Sequence, residues 1–256
     1  MRQPLVLTAE QVHIWLIDPV AVTDPGLLER YAQLLTPDEH AKWQRYRFDK
    51  DKHQHLVTRA LIRTTLSRYE PRVTPADWRF ELNAHGKPAI ANPLDQPLHF
   101  NLSHTQNLAA LAVTREAAVG VDVEKIKPVD HVRGLAERCF ADEEIGYVFD
   151  GDQNALLQRF FKVWTLKEAY LKARGCGMSL SLHSVIFTPQ AQPLVVRFDP
   201  DHDDPSAWSF YHWAVGADHQ LSLALNRPVD QPVDIEIFTA TPLSDRISAP
   251  ANHVLS

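Results

Sequence analysis

Residues 108–126 read LAALAVTREAAVGVDVEKI, and the joint inside this stretch decides the fold. LAALAVT (108–114) is a short apolar run and VGVDVEKI (119–126) sets valine against every second residue, so both read as strands. Upstream, VHIWLID (12–18) alternates as a strand, and a helix is predicted from Leu27. TPDEHAKWQRY (36–46) opens with an N-capping Thr36, a first-turn Pro37 and two acids, the marks of a second helix start. HQHLVTRALIRTTLSRY (53–69) spaces Leu56, Ala60 and Ile62 helically and sets Arg59 and Arg63 on one face. WRFEL, the Gly86-Lys87-Pro88 turn, LHFNLSH and LAALAVT then read as sheet. Downstream of the joint the order recurs. VGVDVEKI is a strand, FADEEIGYV (140–148) a short helix, and RFFKVWTLKEAYLKARG (159–175) a long helix ending at Gly175; SVIFTP, WSFYHWAVG and LSLALNRP are strands. The prediction is an α/β (α+β) chain of two similar halves, 1–119 and 120–227, with 228–256 as a strand (DIEIF) and a loosely held tail.

A chain of 256 residues with 45% hydrophobic content can bury a real core. Its formal charge of −6 gives nucleic acid no general attraction, and no Lys/Arg block is interleaved with aromatics. An acidic partner would have to be met by a local basic patch. The N-terminal stretch, broken by Glu10, His13 and Asp18, does not read as a signal peptide, and no stretch reaches the ~20 apolar residues of a membrane span. Cys139 and Cys176 form neither a disulfide framework nor a metal cluster; Cys139 reads as core and Cys176 as a loop thiol. The expectation is a cytoplasmic protein with no membrane and no nucleic-acid role.

Asp122 and Glu124, two apart on a strand, project from one face, and two carboxylates there repel unless a cation lies between them. A solvated edge beside Lys125 and Lys127 is the plain alternative. The valine frame argues instead for a strand buried on its other face, with the acids at a cleft. Mg²⁺ takes oxygen ligands and keeps substrate phosphates in its shell. Trp164, Glu168 and Lys172 share a helix face; a surface Glu–Lys pair, worth only ~0.3–0.5 kcal/mol, is the alternative to a metal ligand beside a phosphate partner. Lys167 lies about 100° around the helix from Glu168 and need not share that task. Ser103 and His104 could donate to phosphate oxygens, but as strand neighbours they face opposite ways, which disfavours a Ser–His nucleophile pair. Lys87 in its turn, and Arg59 and Arg63 through their planar forks, could also reach phosphate.

In order, GKPAI, FNLSHT, VGVDVEKI and FFKVWTLKEAYLKARGCG resemble the 4′-phosphopantetheinyl transferase superfamily, in particular its two-halved, surfactin-synthetase-type members. The resemblance runs from about Val12 to Arg227. It implies a monomer with a pseudo-twofold axis and coenzyme A in the cleft between the halves. It implies Mg²⁺, with Mn²⁺ as a substitute, on Asp122, Glu124 and Glu168. It implies Lys172 on phosphate, and Lys87, Ser103 and His104 lining the coenzyme site. Gln54 and His55 stand where many relatives are basic, so Arg59, and secondarily Lys42, are the candidates for the 3′-phosphate. Glu144 looks like a family acid near the metal cleft.

The implied reaction moves 4′-phosphopantetheine from coenzyme A to a serine of an acyl or peptidyl carrier protein, an acidic and transient partner, and releases adenosine 3′,5′-bisphosphate. Asp122, Glu168 and Lys172 form the catalytic set, with Glu168 or a metal-bound water as the base. A Mg²⁺-dependent nucleotide diphosphate hydrolase and a catalytically idle coenzyme A-binding or carrier-docking module are the competing readings. The carrier's pathway, in lipid or secondary-metabolite synthesis, is not legible in the sequence.

Overall fold

The computed structural model describes residues 4–191, 194–198, 203–244 and 247–248. The first half runs β1 (Gln11–Ile17), α1 (Pro25–Ala32), α2 (Pro37–Arg45), α3 (Asp49–Tyr69), β2 (Phe80–Leu82), β3 (Pro88–Ile90), β4 (His99–Thr105) and β5 (Leu108–Thr114). The second runs β6 (Val119–Lys125), α4 (Val132–Cys139), α5 (Asp142–Phe149), α6 (Leu156–Arg174), β7 (Val185–Thr188), β8 (Val195–Phe198), β9 (Ser209–Val215) and β10 (His219–Leu225). β11 (Asp234–Ala240) and β12 (Ile247–Ser248) follow.

Local chemistry sets the helix ends. Asp24 accepts from the Gly26 and Leu27 amides, so α1 begins at Pro25, two residues ahead of the sequence prediction. At α2, Thr36 Oγ1 accepts from Glu39 N while Glu39 Oε2 accepts from Thr36 N, a reciprocal capping box. α6 stops at Gly175, whose φ of 64° lies in the left-handed region.

Each half builds the same sheet. In the first, β1 and β4 flank β5, all antiparallel; in the second, β6 and β9 flank β10, all antiparallel. β11 extends the first sheet by pairing parallel with β1, Gln11 opposite Asp234 and Leu16 opposite Thr239. The DIEIF strand expected after Pro228 is present as β11, and it crosses back into the first half's sheet. The residues after Ser248 lie outside the described set.

Alternation sorts the side chains into four layers. Val12, Ile14 and Leu16 of β1 and Ala110 and Ala112 of β5 meet Val119, Val121 and Val123 of β6 and Leu221, Leu223 and Leu225 of β10, so the two sheets pack face to face. Trp15, Leu111 and Val113 on the other face of the first sheet pack on α3. The other face of the second sheet packs on α6. The order is α3, sheet, sheet, α6. Among the described residues no helix is long and apolar enough to cross a membrane.

Candidate active site between the halves

β6 carries the two acids, and its neighbours fix where they point. Val119, Val121 and Val123 go to the inter-sheet core, so Gly120, Asp122 and Glu124 face α6. Gly120 lets β6 lie directly on that helix: a Cβ there would come 2.0 Å from Ala169 O and 2.4 Å from Ala173 N. β10 pairs with one edge of β6, and side chains of β4 take donors on the other. Asn101 Oδ1 accepts from Val121 N (2.8 Å), Ser103 Oγ from Val123 N (3.3 Å) and Thr105 Oγ1 from Lys125 N (3.3 Å). The halves are thus joined across the cleft by a side-chain ladder that satisfies an otherwise open strand edge.

Two hydroxyls of that ladder also hold the acids. Ser103 Oγ donates to Asp122 Oδ1 at 2.8 Å, and Thr105 Oγ1 donates to Glu124 Oε2 at 3.2 Å. From α6, Lys172 Nζ donates to Asp122 Oδ1 at 2.5 Å and to Ser103 Oγ at 2.8 Å. Asp122 is 3% exposed, and its Oδ2 has no hydrogen-bond partner; among the described residues it is the only buried carboxylate oxygen left so. Burial, followed by the charge of Asp122, pushes the carboxyls of Glu124 and Glu168 upward. Lys172 opposes both shifts. Among the described residues no three His, Cys, Asp or Glu side chains close into a ready cation cage. The donor set is nonetheless all oxygen, crowded with like charge, and holds one bare buried oxygen, which suits a hard divalent cation.

A cavity of about 280 Å³ adjoins this cluster, lined by His85, Lys87, Asn101, Leu102, Glu168 and Lys172 among others. Lys87 lines it, but its ammonium donates to Val119 O (3.2 Å) and Ala173 O (2.8 Å), tying the turn of the first half to β6 and α6. Burial brings Lys87 down to about 8. Asn83 adds a bond to Gly175 O at 2.8 Å.

His104 borders the cluster from α3's side, where burial and then the Lys172 charge hold its ring below the usual histidine range. Arg59 and Lys42 gather around buried His55, which burial and these two cations bring down to about 4. Arg59 also faces Glu39 at 3.8 Å, and Lys42 is exposed on α2.

Other residues named from the sequence serve the fold. Arg63 is fully buried and donates to Glu39 and to the carbonyls of Pro75 and Trp78, so it is not available to phosphate. Glu144 does not reach the cleft. It is buried against Lys167 at 2.7 Å and accepts from Ala141 N and Phe187 N, while Lys167 also donates to Leu182 O and Val185 O. Trp164 stacks on Phe160 in a separate apolar cluster, away from the ionic end of its helix face. Sequence reasoning missed Asn101 and Thr105. The polar alternation of Asn101, Ser103 and Thr105 within HFNLSHT was the signal, since an edge strand with one polar side has something polar to meet.

Comparison with known proteins bears on this arrangement. Residues 118–224 match the family model described as the 4′-phosphopantetheinyl transferase superfamily, and residues 25–116 match the one described as 4′-phosphopantetheinyl transferase, N-terminal. The 4′-phosphopantetheinyl transferase HetI of Nostoc sp. is 32% identical over 207 residues, spanning 80% of this chain and 83% of that protein. A putative 4′-phosphopantetheinyl transferase of Synechocystis sp. is 31% identical over 198 residues, 77% of this chain and 78% of that one. The 4′-phosphopantetheinyl transferase Sfp of Bacillus subtilis is 28% identical over 211 residues, 82% and 90% of the two chains. With relatives above 30% identity over more than two thirds of both chains, and family models matching each half in turn, the chain belongs to the 4′-phosphopantetheinyl transferase superfamily.

Proposed function

We propose that the chain transfers the 4′-phosphopantetheine arm of coenzyme A to a serine hydroxyl of an acyl or peptidyl carrier protein, with Mg²⁺ or Mn²⁺ held by Asp122, Glu124 and Glu168. The observation that carries the site is Asp122: one oxygen is fixed by Ser103 and Lys172, and the other is buried and bare. A buried carboxylate oxygen without a partner is costly, and a cation removes that cost.

When bound, the cation supplies Lewis-acid stabilisation of the diphosphate and of the departing adenosine 3′,5′-bisphosphate. Lys172 balances negative charge on the transferring phosphoryl group, and its bond to Ser103 keeps that hydroxyl at the same point. Arg59 and Lys42, flanking His55, form the cationic end that suits the 3′-phosphate. The carrier serine oxygen forms a bond to the β-phosphorus as the bond to the adenosine bisphosphate oxygen breaks. Glu168, whose carboxyl is pushed toward the working pH, accepts the serine proton.

The test is product analysis. Adenosine 3′,5′-bisphosphate should appear only when coenzyme A, Mg²⁺ and an apo carrier are all present. Release without a carrier would indicate hydrolysis, and coenzyme A binding without release under any condition would indicate an idle binding module.

A further inference from the structure

We propose that Gln54 is a positioning residue that fixes the tautomer of His104, so that the ring offers Nε2–H to the coenzyme A phosphates. This rests on the transferase reading for its purpose, though not for its geometry.

Strand alternation turns Ser103 toward β6 and His104 toward α3. Gln54, in the second turn of α3, meets the ring there: its Nε2 lies 2.7 Å from His104 Nδ1 and 3.4 Å from Thr105 O. A backbone carbonyl can only accept, so the amide of Gln54 turns its nitrogen, not its oxygen, to this side. Both of its hydrogens then have acceptors, and Nδ1 must present its lone pair. The ring proton of neutral His104 therefore sits on Nε2. Among the described residues Nε2 has no hydrogen-bond partner in the protein, which leaves that N–H for a ligand.

The surroundings keep the ring neutral. Desolvation of the ring comes first, although the residue keeps an exposed edge; Lys172 follows and Arg59 adds less, while a contact with the His104 backbone works the other way, and His55 also faces the ring. Gln54 adds to this by placing donors where a second ring proton would have to go. Lys172 supplies the formal charge of the cluster, and His104 supplies a directed donor with no charge of its own. A ring in the other tautomer would aim a lone pair at phosphate and repel it.

The experiment is nitrogen-15 NMR of the imidazoles in the full-length protein, with His104 assigned through His104→Gln, on the wild type, Gln54→Ala and Gln54→Glu. The wild type should show the Nε2–H tautomer, Gln54→Ala a mixture, and Gln54→Glu an Nδ1–H or doubly protonated ring, since a carboxylate accepts where the amide donated. With coenzyme A and an apo carrier, Gln54→Ala should lower kcat/KM for coenzyme A about tenfold, as for loss of one hydrogen bond to a charged group. Gln54→Glu should lower it further and move the pH profile. An Nδ1–H ring in the wild type, or Gln54→Glu leaving tautomer and profile unchanged, would overturn the proposal. Failure of the wild type to modify any carrier would count against the transferase reading instead, while the spectra still decide the part of Gln54.

Discussion

Asp122 shows why neighbouring groups of one charge sign take different work. Its Oδ1 is spent on Ser103 and Lys172, which leaves Oδ2 as the bare oxygen beside two acids whose carboxyls are raised. If Glu168 is the base, Glu168→Gln should lower kcat by about 10²–10⁴, the usual contribution of such a group, with Mg²⁺ affinity measured separately by calorimetry. Full activity with the metal still bound would remove Glu168 from that role. Helical spacing was enough to set Glu168 and Lys172 on one face, because 3.6 residues per turn is a local rule. It could not show that Lys87 would spend its ammonium on Val119 O and Ala173 O, since backbone carbonyls leave no mark in a sequence. Nor could it separate Glu144 from the cleft acids. Helix spacing sets its partner Lys167 on a different face of α6 from Glu168, but no local signal pairs that lysine with an acid on another helix.

β6 is the element on which the site depends. Its valines bury one face in the inter-sheet core, its even positions face α6, and its outer edge is held by Asn101, Ser103 and Thr105. Gly120→Ala would push a methyl into the Ala169 carbonyl and the Ala173 amide, neither of which is a flexible side chain. The variant should lose about 3 kcal/mol, the upper end for overpacking, and lose transfer activity with it, because β6 and α6 must separate and carry Asp122 away from Lys172. Urea unfolding with a parallel activity assay checks this; an unchanged midpoint would mean that the strand does not lie so close. The strands and long helices were legible because valine alternation, the Thr36 cap and the Gly175 stop are strong local signals. α4 was missed: it is short, has Gly134 within it, and starts at His131 without a side-chain cap. The parallel pairing of β11 with β1 was also hidden, since it depends on a partner more than 200 residues away, Gln11 opposite Asp234.

The whole molecule is two copies of one sheet-and-helix plan stacked into four layers, with the candidate cluster where β4 of one copy meets β6 of the other. Packing α3 and α6 on the outer faces of the two sheets also encloses histidines: His13 meets Tyr69 of α3, His55 lies on α3 itself, and His212 meets Ser222, which bonds Thr165 of α6. His13, His55 and His212 are each brought down to about 4, by burial first in every case, with nearby cations adding at His55 and His212. The unfolded chain takes up a proton at each near pH ~6.5, the folded one only near 4, so between these values the unfolded state binds more protons and stability falls as pH falls. The slope is up to ~1.4 kcal/mol per pH unit for each histidine. Glu124 and Glu168, raised in the fold, act in the opposite sense and offset part of it. Urea midpoints should therefore drop from pH 7 to 5.5; a rise would show that these rings are not held neutral. The central claim, that this cleft transfers phosphopantetheine through Asp122, is tested most directly by the intact mass of an apo carrier protein. The carrier is incubated with coenzyme A, Mg²⁺ and either the wild type or a folded Asp122→Ala variant. The account predicts a gain of one phosphopantetheine with the wild type and none with the variant. An unmodified carrier with the wild type, or equal modification by both proteins, would contradict it.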